Sequence, residues 1–218
     1  MSNEKLEMMR HSCAHLIAAA VQKLYPNAKF GVGPSLENGF YYDIDFGVNI
    51  SEEDLKKIEN KAQGLQRAGF AYEREEIPID QAIALFKKLN QDYKVELLND
   101  LKNKGTTKVS VEEQKDLGDS VDTVSIYKTG EFVDLCRGPH VASTKDTGVF
   151  KLTKLAGAYW RGDSNNKQLQ RIYGVCFETE NELEEYLEKM RLAEERDHRK
   201  IGAEQDLFFF EDRVGKGL

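Results

Sequence analysis

Phe132-Val133-Asp134-Leu135, running on into Cys136-Arg137-Gly138-Pro139-His140, is an apolar, strand-like segment that ends in a turn with a thiol and an imidazole four positions apart. Asp134 lies two positions before Cys136, so on a strand both side chains leave from the same face. His11 and His15 repeat the four-residue spacing far upstream. Three of the four histidines and one of the three cysteines therefore fall into two short motifs.

Working outward, Leu6, Cys13, Leu16, Ile17, Ala20, Val21 and Leu24 recur at helical spacing, and Tyr25-Pro26-Asn27 ends the run. This predicts an amphipathic helix. At about 100° per residue, His11 and His15 fall nearly opposite the apolar stripe, beside Ala18 and Ala19. A solvated face usually bears lysine and glutamate, so alanines beside two histidines predict close packing or a cavity there. Glu37-Asn38-Gly39 between two apolar runs signals a hairpin, and Ser51-Glu52-Glu53-Asp54 reads as the start of a helix reaching about Ala68. A strand near Ala71 to Ile77 and a helix from Ile79 to Leu89 follow. The pattern from Asp92 to Glu113 is ambiguous, with Lys102-Asn103-Lys104-Gly105 expected as an exposed loop. Beyond Asp122 come short strand-like runs separated by glycines, a sheet-rich half over about 122–178. A highly charged helix over about 180–200 reads as a connector. Leu207-Phe208-Phe209-Phe210 then reads as an apolar strand with nothing after it to pack against, as at the start of a further domain.

The chain has 218 residues, 40% hydrophobic and 32% charged, with four prolines. That is enough to bury a full core as one large domain or two small ones, and it excludes a disordered tail. No stretch approaches the roughly 20 apolar residues of a membrane span, and the polar start is no secretory signal, so a cytoplasmic location is expected. An odd cysteine count at wide spacing predicts reduced thiols. The net charge of -7 argues against a surface that grips nucleic acid all over. RNA contacts would be local, at the basic residues between Lys151 and Arg171 or around Arg196, His198, Arg199 and Lys200.

A helical His-x-x-x-His pair points two imidazoles the same way, and a loop-borne Cys-x-x-x-His could complete a tetrahedron around zinc. The same four groups could line a metal-free hydrolytic pocket in which a histidine orients or deprotonates water. They could also be two unrelated surface pairs. Spacing alone does not choose among these. Asp134 could bind an ammonium group or merely cap the turn.

His11-Ser12-Cys13-Ala14-His15-Leu16, Gly33-Pro34 with Gly39-Phe40-Tyr41-Tyr42-Asp43, the Asp134 to His140 stretch, and Ala156-Gly157-Ala158-Tyr159-Trp160-Arg161-Gly162-Asp163 occur in that order. Together they resemble the amino-terminal editing domain of threonyl-tRNA synthetases. Asn165-Asn166 and Gln170-Arg171-Ile172-Tyr173-Gly174 extend the resemblance, and Arg196 to Gly202 looks like the hinge into a catalytic domain. The resemblance implies an α+β fold, with helices packed on mainly antiparallel sheet in a two-part editing domain with a cleft, ending in the connector helix. It assigns residues 1–200 to editing and 201–218 to a stub of a class II catalytic domain.

By the same resemblance the catalytic residues are His11, His15, Lys94, Cys136 and His140. Asp134, Arg137, Tyr159 and Trp160 bind substrate. No cofactor is implied for editing, zinc at His11, His15, Cys136 and His140 being the alternative; ATP, Mg and Zn are implied only for the catalytic domain. The partners implied are tRNA(Thr) and its mischarged Ser-tRNA form, with no membrane, a homodimeric full-length enzyme and a monomeric piece. The expected reaction is hydrolysis of the seryl ester, a double sieve. A missing methyl is worth only about 1–3 kcal/mol in binding, so a second site must admit serine and exclude threonine. The rival readings are a stand-alone alanyl-type trans-editing hydrolase and a non-catalytic zinc- or RNA-binding module.

Overall fold

Thirteen consecutive residues of the first helix, Met9 to Val21, are buried, and the rest of the fold is arranged around that helix. The structure is a computed structural model that describes residues 3–104 and 122–196. Helix α1 (Asn3–Leu24) is followed by strands β1 (Lys29–Phe30), β2 (Ser35–Leu36) and β3 (Gly39–Asp45), then helix α2 (Glu52–Ala68). Strand β4 (Tyr72–Pro78) leads to helices α3 (Ile79–Lys88) and α4 (Asp92–Lys104). Strands β5 (Thr123–Thr129), β6 (Phe132–Leu135), β7 (Val149–Tyr159) and β8 (Gln168–Phe177) precede helix α5 (Glu180–Glu195). This is the expected mixture of helices and antiparallel sheet. Among the described residues no helix is long and apolar enough to cross a membrane.

The strands form two sheets, β1-β3-β8-β7 with β2 added to β3, and β4-β5-β6, paired antiparallel throughout. Each sheet joins early and late parts of the chain. Tyr42 pairs with Ile172, and Arg74 with Tyr127. The sheet-rich stretch 122–178 is therefore not a body of its own, because its strands complete edges offered by β3 and β4. Strand period decides which side chains meet. Phe40, Tyr42 and Ile44 join Ile172 and Cys176 in the core under α1 and α2. The alternate residue Asp43 faces the other way, into a two-pronged ion pair with Arg171 at 2.6 and 2.8 Å.

Helix α2 begins where its capping signal predicts. Ser51 and Asp54 form a reciprocal capping box, and Gly69, at a φ of 75°, closes the other end. Helix α4 replaces the ambiguity after Asp92 and the loop expected at 102–104. Leu97, Leu98 and Leu101 form a stripe buried against α3, β5 and Trp160, and this packing carries the helix through Lys104. Gly105 lies outside the described residues. Residues 1–179 form one compact unit and a second begins at Glu180. Within the second, α5 is charged along its length and carries Arg191 between Glu188 and Glu195. The predicted strand at Leu207 to Phe210 lies outside the described residues.

Candidate functional site

Helix α1 and the loop leaving β6 bring the two sequence motifs together. One ligand atom from each of His11, His15, Cys136 and His140 lies within 4.8 Å of every other. The Cys136 Sγ is the hub, 3.4 Å from His11 Nε2 and 3.2 Å from His140 Nε2, and it accepts the Gly138 N–H at 3.2 Å. The loop is held from below. Cys136 N–H donates to Ser125 O at 3.2 Å, and Ser125 Oγ donates back to Cys136 O at 2.7 Å. Gly138 sits at a φ of 74°, where a Cβ would also collide with the Tyr127 hydroxyl, so only glycine turns the chain back towards α1 here.

Behind this cluster lies a buried charged group. Lys94 Nζ is 2.6 Å from Asp134 Oδ1, and the two residues are 3% and 1% exposed. The same oxygen accepts the Leu135 N–H at 2.8 Å, while the Tyr42 hydroxyl donates to Oδ2. His15 Nδ1 is buried, lies 3.6 Å from Oδ2 and has no hydrogen-bond partner among the described residues. That separation is too long for a hydrogen bond. An orphaned buried nitrogen beside a carboxylate with a lone pair to spare is an acceptor–donor surface fit for a polar ligand.

Burial pushes the pKa of His15 well below the usual histidine value, aided by the neighbouring His11 and Lys94 charges. Burial does the same to His140, with His15 and His11 adding to it. Both imidazoles are therefore neutral at pH 7, as a water-activating base or a metal ligand must be. The unfolded chain binds these protons from about pH 6.5 downward and the native state does not. Stability is thus complete above about pH 6.5 and falls on acidification, by up to about 1.4 kcal/mol per pH unit for each group. Urea titrations between pH 7 and 5 measure this, and His15→Leu is expected to flatten the slope.

Arg137 is partly exposed on the loop beside Cys136. Tyr159 and Trp160 are not drawn into the cluster. Trp160 belongs to the second core, packs against Tyr93 at 4.9 Å and donates from Nε1 to Glu96 at 3.0 Å, while the adjacent Arg161 pairs with Asp100 at 2.6 Å. Tyr159 is 44% exposed at the end of β7. In return, the structure adds Tyr42, Ser12, Tyr72 and Tyr127. The His140 ring stacks on Tyr72 at 5.0 Å and 9°, and meets the Tyr127 ring edge-on at 4.4 Å. A signal for Tyr42 existed in the sequence: on the apolar face of β3 its hydroxyl needs a buried partner, and a strand-borne carboxylate is the natural one.

The donor set suits zinc in kind. Tetrahedral Zn–S and Zn–N bonds put donors roughly 3.3–3.6 Å apart. The two sulfur–nitrogen distances are near that, whereas the full set, spread to 4.8 Å, would have to contract.

Residues 124–173, from β5 into β8, match a domain family described as the threonyl and alanyl tRNA synthetase second additional domain. All of the chain aligns at 49% identity with a threonine–tRNA ligase of Geobacter sp. (strain M21). The corresponding proteins of Geobacillus sp. (strain WCH70) and Listeria monocytogenes serotype 4a (strain HCC23) align over 99% of it at 46% and 48%. The chain spans 31% of the length of each.

Proposed function

We propose that this chain, which aligns along its length with threonine–tRNA ligases and matches the second additional domain over residues 124–173, hydrolyses the seryl ester of mischarged tRNA(Thr). The observation that carries this reading is the convergence of His11, His15, Cys136 and His140 on the buried Lys94–Asp134–Tyr42 group. The substrate ammonium docks at Asp134 Oδ2, beside His15 Nδ1. Lys94 is the counter-charge to Asp134 at 2.6 Å, and one neutral histidine takes the proton of a water molecule as its oxygen attacks the ester carbonyl. The proton passes to the ribose oxygen as its bond to the carbonyl carbon breaks, giving free serine and tRNA with its terminal hydroxyl restored. Lys94 and a second histidine oppose the negative charge that builds on the carbonyl oxygen. Cys136 shapes the wall through its contacts with both imidazoles, since attack by water on an activated ester needs no covalent step.

On this reading residues 1–200 are the hydrolytic domain, the partly exposed Arg137 and the exposed Tyr159 take up the tRNA end, and Trp160 supports Tyr159 from the core. Joining threonine to tRNA with ATP and Mg belongs to ligase regions other than these, and the protein works in the cytoplasm. The test is deacylation of Ser-tRNA and Thr-tRNA carrying the threonine acceptor. Serine is expected to leave at least about tenfold faster. Equal rates, or none with either, defeat the proposal.

The His/His/Cys/His donor set favours a second reading in which His11, His15, Cys136 and His140 would hold zinc, and the metal would supply polarisation of the ester or its water. Deacylation is expected to survive chelation unchanged. Loss of activity on chelation, restored with one zinc per chain, would favour the metal reading instead.

A further inference from the structure

Ser12, between His11 and Cys13 on α1, is buried with its hydroxyl shared among three neighbours. Oγ is 2.8 Å from Met8 O, 2.9 Å from Val141 N and 3.0 Å from His140 Nδ1. A hydroxyl has one proton and two lone pairs. The Met8 carbonyl can only accept and the Val141 N–H can only donate, so the proton goes to Met8 and one lone pair to Val141. One lone pair remains for His140, which must arrive as Nδ1–H.

We infer that Ser12 is the positioning residue that fixes the tautomer of His140, placing the proton on Nδ1 and the lone pair of Nε2 against Cys136 Sγ, 3.2 Å away. The surrounding contacts keep both partners in register. The Tyr72 hydroxyl donates to Ser12 O at 2.7 Å while its ring stacks on His140, so one side chain aligns the serine and the imidazole together. Ring stacking restrains the plane of His140 but does not distinguish its two nitrogens. The hydroxyl does. Nε2 is then the ring's acceptor nitrogen, turned into the cluster towards Cys136 Sγ. Should zinc enter the cluster, the same nitrogen is its ligand and Ser12 the outer partner that orients it.

The tautomer assignment stands on geometry, and only its consequence for turnover rests on the seryl-ester reading. Nitrogen-15 correlation spectra of the metal-depleted chain above pH 7 test the assignment without a variant. His140 is expected as the Nδ1–H form; finding it as Nε2–H overturns the inference. In Ser12→Ala the His140 signals are expected to shift to a mixture of tautomers, and in Ser12→Thr to stay with the wild type. A folded Ser12→Ala chain whose tautomer is unchanged also overturns it. On Ser-tRNA, Ser12→Ala is expected to lower kcat roughly tenfold or more with KM little altered, and Ser12→Thr to recover it. A wild-type chain with the expected tautomer and no deacylation defeats the proposed function and leaves the inference standing.

Discussion

Replacing Lys94 by methionine is expected to destabilise the fold by about 3–5 kcal/mol, the range seen when one partner of a buried ion pair is removed. Asp134 is the reason. It is 1% exposed, and what remains around it after the change is the Tyr42 hydroxyl, its neighbouring backbone N–H and a neutral imidazole, none of which carries a compensating charge. The double change Lys94→Met with Asp134→Asn should recover most of the loss, because it leaves no unpaired charge in the interior. Urea unfolding of the three chains at pH 7 measures both statements. A single-variant effect below about 1 kcal/mol would mean that the pair is solvated, and the docking of an ammonium group at a dry carboxylate would fall with it.

His15→Leu is expected to separate activity from stability. The leucine is similar in bulk and removes a buried nitrogen that has no hydrogen-bond partner among the described residues, so the folded state should be unchanged or gain about 1 kcal/mol. Deacylation of Ser-tRNA should fall by roughly 10²- to 10⁴-fold, the usual contribution of a positioned acid–base group. Thermal unfolding and single-turnover deacylation give the two numbers. A variant that unfolds more easily while hydrolysing normally would make His15 a packing residue.

Much of this site was legible in the chain itself. The four-residue spacing of His11 and His15 on a helix, and of Cys136 and His140 after a strand, singled out the four residues without saying that they meet, and the alanines beside the histidines indicated close packing or a cavity, of which the structure has the packing. Local rules also sufficed for α2, because a capping box and a terminal glycine depend only on residues a few positions apart. They did not suffice where the deciding contact is distant. Helix α4 was ambiguous because Leu97, Leu98 and Leu101 acquire meaning only against α3 and β5.

The spacing of its histidine and cysteine motifs was enough to single out the residues of the candidate site and the local elements that carry them, but not to choose between metal binding and hydrolysis. Only the tertiary structure decided that β3 would pair with β8, that Tyr42 and Lys94 would close on Asp134, and that Ser12 would reach His140 across 128 positions. Those side chains are ordinary in the sequence, and Trp160, conspicuous there, turned to the core because an indole buries more apolar surface than any other side chain while asking for one acceptor. Periodicity reports what lies a few residues away. A buried charge or an orphaned nitrogen is defined by what lies a hundred residues away, and folding alone supplies that neighbour.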